Sequence, residues 1–524
     1  MRHLVRISLA VTAVLVLAQA ASARVLLVGT YHGIHGKYHS LQAAVNAAKP
    51  DDWILVGPGD YKESTGRAPK GNSKTPAGVL MTTRHVYLRG MNRNTVIVDG
   101  TKPGSPVCSR KASDQNFGPH RLGLNGILIW KADDVWVQNL TTCNYLHGSG
   151  DTGNEIWWNG GHGSVKGGIG GAGFLGSYLN ATSTFFKTEE TAAQYGIFSS
   201  NWSGGTWDQT YASNFNDSGY YIGACQQVCN QVIDHAHAQF NVLGYSGSNS
   251  GGPIIVKNSE WDQNQEGFNT NSQNGDHPAP QDGSCPGNGI SPITHTHSCW
   301  VFMNNFVHDN NNPNVPSFEA AAAGPVGTGL VVAGGRNDTI MNNRFVNNKA
   351  WGAFFAPYPD NGKPCIGGTL NAPILGKGSC LFDDWGNALL NNTFTNNGGY
   401  GNPTNGDFEQ QSLESHPSDC FAGNTDTSGS LNAESAALEK SYPTCTTTNV
   451  PLNLNVPFLN ESLCDSQIKL APFGCQPGDH YPRLTRVIMH PLPKGLKTMP
   501  NPCAGVPRNP WCPTASKGRK AYQL

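Results

Sequence analysis

The segments "NNRFVNN" (342–348) and "NNTFTNN" (391–397) decide how this chain folds, because their pattern recurs upstream as "MNNFVHDN" (303–310) and "KNSEWDQN" (257–264). Each unit places Asn before a short alternating segment with one large apolar residue, then closes on another Asn-rich turn. Asn suits such corners because it tolerates left-handed backbone and its amide bonds locally. Glycine keeps a similar beat: Gly196, Gly219, Gly244 and Gly267 follow at steps of 23, 25 and 23 residues, and Gly329 and Gly352 are again 23 apart. A period of this size with several tiny strands per unit describes a solenoid, in which each coil buries its apolar side against its neighbours. Stacked Asn side chains can then form ladders from coil to coil. Two cysteine-bearing stretches, "DHPAPQDGSCPGNGISPITHTHSC" (276–299) and "PDNGKPCIGGTLNAPILGKGSC" (359–380), interrupt the pattern and read as stapled insertions.

Working outward, the opening "HSLQAAVNAAKPDDWILVGPGDYKES" (39–64) and the strands within "HVYLRGMNRNTVIVDG" (85–100) and "GILIWKADDVWVQNLT" (126–141) complete the pattern. Together with the repeats they resemble the right-handed parallel β-helix proteins of the pectin-lyase-like superfamily. The resemblance implies an all-β chain: a single-stranded right-handed parallel β-helix over residues 24–410, with "LQAAVNAA" as an N-terminal capping helix. It says little about function, since that superfamily includes lyases, hydrolases, epimerases, esterases and proteins without known activity.

The flanks frame the compartment. Residues 1–23 carry a basic start at Arg2 and Arg6, an apolar stretch and Ala21-Ser22-Ala23, the layout of a signal peptide cleaved before Arg24. Residues 411–524 lose the repeat, and their cysteines and prolines describe an irregular, disulfide-tied segment packed along the solenoid. The 14 cysteines pair by proximity as 108/143, 225/229, 285/299, 365/380, 420/445, 464/475 and 503/512. No paired C-x-x-C supports zinc. The expected location is extracellular or periplasmic, as a monomer. Lys plus Arg number 35 against 36 acidic residues, which leaves no basic footprint for nucleic acid. No later run reaches the roughly 18 apolar residues of a membrane span.

Chemistry is sought in four places. "VIDHAHAQF" (232–240) puts His235 and His237 on one strand face, with Asp234 at the core side or a corner. Aligning the glycines sets His237 beside Ala212 and Glu260, and His235 beside Thr210 and Asn258. Such histidines shuttle protons, hold a metal, or are simply exposed. A second H-x-H, His295 and His297, extends the metal reading. Asp208, Asp234 and Glu260, each 26 residues apart, suggest stacked carboxylates able to bind Ca²⁺ or to cleave a glycoside, or else solvated turn carboxylates. The glycine-rich stretch 147–180 reads as an excursion whose Trp157, Trp158 and Tyr178 form sugar platforms beside Glu155 and His162, or pin the loop to the wall.

The resulting expectation is an exported protein acting on an extracellular polysaccharide as lyase, hydrolase or epimerase. In the lyase form His235 or His237 is the base, Glu260 or Asp262 assists, and Lys257 or Arg344 neutralises the substrate carboxylate. Asn269 and Asn271 of "EGFNTN" join Trp157, Trp158, Tyr178 and Lys257 as substrate-binding residues. The alternatives are a non-catalytic carbohydrate-binding solenoid and a periplasmic metal-handling β-helix. The enzyme reading asks that His235, His237, Glu260 and residues 147–180 line one groove.

Overall fold

The computed structural model describes residues 23–116, 123–161, 168–188, 191–225, 228–248, 250–271, 300–317, 320–360, 365, 368–372, 375–444 and 449–514. Among these, three long parallel sheets of 12, 11 and 10 strands dominate. Each coil visits them in the same order. One coil places Gln231–Asp234 in the first sheet, His237–Gln239 in the second and Leu243–Ser248 in the third. The next places Ile254–Lys257, Glu260–Asp262 and Glu266–Asn271 in the same sheets. Every strand pairs in parallel with its counterpart one coil on. The molecule is a right-handed parallel β-helix. Helix α1 (Leu41–Ala47) caps the first coil, and Ser40 Oγ accepts from the Ala43 N–H at its start.

The Asn doublets divide two tasks. The first residue of each pair takes left-handed backbone at a corner, with φ of 55° at Asn304, 55° at Asn342 and 52° at Asn391, and five residues on 52° at Asp309, 56° at Asn347 and 53° at Asn396. The second residue points inward and joins a column. Asn241 Nδ2 donates to Asn264 Oδ1, Asn264 to Asn310, Asn310 to Asn348 and Asn348 to Asn397, at 3.0, 3.0, 3.1 and 3.3 Å. A second column runs Asn305–Asn343–Asn392–Asn424. These ladders satisfy corner main-chain groups that a coil leaves unpaired. The glycine column has a different cause. A Cβ at Gly196, Gly244, Gly267 or Gly329 would lie 2.2–2.4 Å from the carbonyl oxygen of the next glycine in the column. Coils approach there too closely for any side chain.

The interior is filled by rings, among them Trp158, Trp207, Trp261, Tyr220 and Tyr245, all fully buried. This corrects the reading of 147–180 as an excursion. It carries Asn154–Asn159 in the third sheet, Phe174–Ser177 in the first and Asn180–Thr182 in the second, as any coil does. Its glycine content makes room for the rings: a Cβ on Gly176 would come within 2.8 Å of Trp207 and 3.0 Å of Trp158. The coil strands also outrun the expected limit at 410, because Cys420–Ala422 joins the first sheet and Thr425–Asp426 the second. Helix α2 (Ala433–Ser441) then closes the last coil, with Ser435 Oγ donating to the Phe408 carbonyl. Helix α3 (Val456–Asp465) packs Phe458 against Trp351 and Phe354 on the outside of the third sheet.

From there the chain returns as a strap toward the first coil. Arg483 donates to the carbonyls of Cys464 and Asp465; Thr485 and Ile488 bond Asn314; His490 bonds Asn214 and stacks on Phe240. Leu492 packs on Ile97, Cys108 and Cys143, crossing the outer face of the second sheet. Thr498 and Met499 bond Asn139, Arg89 donates to the carbonyls of Pro502 and Ala504, and Trp511 Nε1 donates to the Ile34 carbonyl. Disulfides join 108/143, 225/229, 365/380, 464/475 and 503/512, each as proximity implied. Such bonds belong to an oxidising compartment. No helix of the described residues is long and apolar enough to cross a membrane. Residues 1–22, His162, Cys285, Cys299, Cys445, His295 and His297 lie outside the described residues.

Candidate active site on the second sheet

Strands of the second sheet are three residues long, so only their first and third side chains face outward. The middle residues Ala212, Ala238, Trp261, Val307 and Phe345 fill the core. The outward residues form two columns across successive coils. Tyr211, His237, Glu260, Phe306 and Arg344 align in one, and Ser213, Gln239, Asp262, His308 and Val346 in the other. The strap crossing at Leu492 bounds this face on the side of the first coils.

Hydrogen bonds tie the columns together. His237 Nε2 lies 2.6 Å from Asp262 Oδ1, while Gln239 Nε2 donates to Asp262 Oδ2 at 2.8 Å. Tyr211 OH donates to Gln239 Oε1 at 2.9 Å, and its ring meets the His237 ring edge-on. Asp262 is buried, so its two partners hold it rigidly. With Nε2 turned to Asp262, Nδ1 of His237 lies 3.9 Å from Glu260 Oε2. Glu260 in turn accepts from His308 Nε2 at 3.0 Å, and His308 Nδ1 bonds Asp309 at 2.9 Å. Burial alone would lower the His308 pKa, but its two carboxylate partners outweigh that and raise it. The same bond from His308, against the opposing effect of burial, holds Glu260 below the ordinary range. His308 is therefore biased toward its protonated form and Glu260 toward its ionised form. Ligand atoms of His237, Glu260 and Asp262 lie within 4.8 Å of one another, so this set can also hold a metal.

The other expected residues fall elsewhere. His235 is not on a strand face with His237. It occupies the left-handed corner, φ 50°, where other coils carry Asn258 and Asn304. There its Nδ1 lies 2.8 Å from Asp234 and 3.6 Å from Asp208, half-exposed. Burial, then the neighbouring Asp234, raises the Asp208 pKa. The expected run Asp208–Asp234–Glu260 breaks at its third member, because the coil after Asp234 is 23 residues long, not 26; Asp234 pairs with Lys257, and Glu260 belongs to the second sheet. Lys257 lies 3.5 Å from Asp234 on the first sheet, away from His237. His237 has Tyr211, not Ala212, as its other lateral neighbour, and Gln209 stands at the corner where Thr210 was expected beside His235.

The sugar-platform reading of the tryptophans is also corrected. Trp158 is wholly inside, and Trp157 stacks on Phe198 at 4.8 Å with its Nε1–H given to Ser200. Glu155 is fully buried, and burial pushes its carboxyl well above the ordinary range. Tyr178 sits at a corner between first and second sheets, φ 51°. Asn269, on the third sheet, donates to Glu266; Asn271 shares that strand. Among the described residues, those of 147–180 do not line one groove with His235, His237 and Glu260. Tyr211, Gln239 and His308 were not singled out as site residues; aligning the Asn doublets, rather than the glycines, brings His308 beside Asp262.

Fold and site together define a parallel β-helix with a His–carboxylate network on one open face. No family model matches the chain, and no curated protein matches it. Among solved structures it is similar to the A-module of the Azotobacter vinelandii mannuronan C-5 epimerase AlgE6, at 12% identity and TM-score 0.44, covering 75% of this chain and 89% of that one. A rhamnogalacturonan lyase matches at 11% identity and TM-score 0.40 over 71% and 82%. The exopolygalacturonase of Thermotoga maritima matches at 8% and 0.38 over 77% and 84%. These likenesses concern the course of the chain, and no residue role is taken from them.

Proposed function

We propose that this is an exported protein that binds an acidic polysaccharide along the outer face of the second sheet and moves a proton there through His237. The carrying observation is the Asp262–His237 bond of 2.6 Å, which orients a half-buried imidazole whose other nitrogen lies 3.9 Å from Glu260 Oε2. A proton abstracted next to a uronate carboxylate would pass to Nδ1, and the resulting imidazolium would stand between Asp262 and Glu260. His308 supplies positive charge on the same face for the carboxylate as charge develops. Elimination of the glycosidic oxygen from that carbanion is a lyase reaction, whereas return of a proton on the other face is epimerisation. Hydrolysis is less well served, because Glu260 is held ionised and both Asp262 oxygens already accept hydrogen bonds. Arg344 lies three coils from His237, about 14 Å at the usual strand spacing. It suits the carboxylate of a neighbouring sugar better than the reacting one.

The second reading, a non-catalytic binder, is favoured by the scatter of Trp157, Lys257 and His235 over other faces. One experiment separates the two. Purified protein is incubated with alginate, pectate and other uronate polymers in deuterated water. Absorbance at 235 nm reports elimination, and deuterium at C5 reports proton exchange. The expected result is a signal on one polymer that falls at least a hundredfold in His237→Gln with binding retained. Binding without either signal on any polymer, or an unchanged signal in the variant, rejects His237 as the proton carrier.

A further inference from the structure

The last coils enclose a second polar centre, independent of the polysaccharide reading. Asp383 and Asp384 precede the Ala388–Leu390 strand of the first sheet, and the chain at 410–419 folds back over them before Cys420–Ala422. Between these segments lies an enclosed cavity of about 10 Å³, lined by Asp384, Gln410, Ser412, His416, Ser418 and Asn453 among others. That is room for one water-sized or ion-sized occupant.

The two aspartates differ in their partners. Asp383 is satisfied: it accepts from Ser412 Oγ, from the Leu413 N–H and from the Glu414 N–H at 2.8–3.2 Å. Asp384 is not. It is 1% exposed, and neither carboxylate oxygen has a hydrogen-bond partner. It lies against Asp419, also 1% exposed, whose Oδ2 is equally unpartnered. Asp419 Oδ1 accepts from the Asn387 N–H, and the Gln410 side chain also lies within hydrogen-bonding reach of the Asp419 carboxyl. The buried guanidinium of Arg336, bridged to Trp385 from the adjacent coil, donates Nε to the Asp383 main-chain oxygen and lies over the Trp385 ring. Two desolvated carboxylates facing each other require a proton or a cation between them. At the cavity mouth, His416 Nε2 lies 3.0 Å from Glu414 and 3.6 Å from Asp383, and ligand atoms of these three residues fall within 4.8 Å of one another. A cation that binds oxygen at about 2.4 Å can span donors at that separation.

We infer that this cavity is a divalent-cation site, with the buried, unpartnered carboxylate of Asp384 as its anchoring ligand and an ion of the calcium class as its occupant. Asp384, Gln410, Ser412, Ser418 and Asn453 bring carboxylate, amide and hydroxyl oxygens, which suit a hard ion, and Pro417, Tyr442, Val450 and Pro451 complete the walls. The donors come from Asp384, Gln410, Ser412, Ser418 and Asn453, so one ion ties the closing segment to the coil beneath it. Its role is structural, at the end of the solenoid where no further coil covers the sheets.

The test uses the mature chain stripped with EGTA. Titration with Ca²⁺ followed by calorimetry is expected to show a site whose affinity drops at least tenfold in Asp384→Asn and is unchanged in Asp262→Asn, which addresses the other cluster. Thermal unfolding is expected to rise with Ca²⁺ in the wild type and not in Asp384→Asn. Should that variant fail to fold, Tb³⁺ luminescence locates the ion: emission excited through tryptophan, displaced by Ca²⁺, is expected to dim in Trp385→Phe, whose ring stacks on His416. Absence of Ca²⁺ binding in the wild type means that the aspartates share a proton, and overturns the proposal. So does unchanged affinity in Asp384→Asn, or undimmed Tb³⁺ emission in Trp385→Phe. None of these outcomes bears on the polysaccharide assay.

Discussion

Replacing Asn264 by alanine isolates what the asparagine column contributes. The Asn264 side chain is fully buried and makes four hydrogen bonds: Oδ1 accepts from the N–H and the Nδ2 of Asn241, and Nδ2 donates to the Ala238 carbonyl and to Asn310 Oδ1. Two of the partners have substitutes. Asn241 Nδ2 still donates to the Ala212 carbonyl, and Asn310 Oδ1 still accepts the main-chain N–H of residue 264. The Asn241 N–H and the Ala238 carbonyl lose their side-chain partner inside a dry interior. At about 1–3 kcal/mol for each buried group left unpaired, the expected loss is about 4 kcal/mol. The comparison is Asn396→Ala, at an exposed corner with φ 53° and a single side-chain bond to Asn347, where left-handed alanine costs about 1 kcal/mol. Urea unfolding followed by tryptophan fluorescence measures both, with the m-value checked for a change of mechanism. If Asn264→Ala loses no more than Asn396→Ala, the ladder is ornamental and the reasoning fails.

Three further outcomes are expected. Gly267→Ala drives a Cβ to 2.4 Å from the Gly329 oxygen and should cost about 3 kcal/mol in the same urea assay, whereas Gly401→Ala, in open space, should leave the glycine column untouched. Burial, and then the neighbouring Asp426, lifts the Asp407 carboxyl to about 6. The folded state therefore keeps a proton that the unfolded chain releases near pH 4, so Asp407 should contribute a fall of about 3 kcal/mol between pH 4 and 6, and Asp407→Asn should flatten the slope there by that share. Trp511→Ala takes away a buried ring and its bond to Ile34, and about 3–5 kcal/mol of strap docking with it; limited proteolysis should then cut near residues 500–512 first.

The ladder also explains what could be read without a structure. Doublets such as Asn342-Asn343 and Asn347-Asn348 state a local requirement, a left-handed corner followed by an inward amide, and both halves are properties of Asn itself. The glycine period is equally local, since a close backbone approach admits no Cβ. Fold and corners followed from these short-range demands, and the five disulfides among the described residues from proximity in the chain. Misplacements arose where one coil differs from the next by a residue. Four residues link Ser213 to Ser218, whereas three link Gln239 to Leu243, so counting back from glycine put Ala212 beside His237 instead of Tyr211.

Sequence alone, then, determined the solenoid and the pairing of His237 with Glu260, because period and corner chemistry are written into each unit. Which side chains share a face was decided only in three dimensions. A three-residue strand between left-handed corners lets Asp262 orient His237 and sends His235 to the turn, and the packing of the coils turns Trp158 inward. Burial is a property of the stacked coils and not of any one of them, and for that reason the unpartnered Asp384 had no signature in the chain.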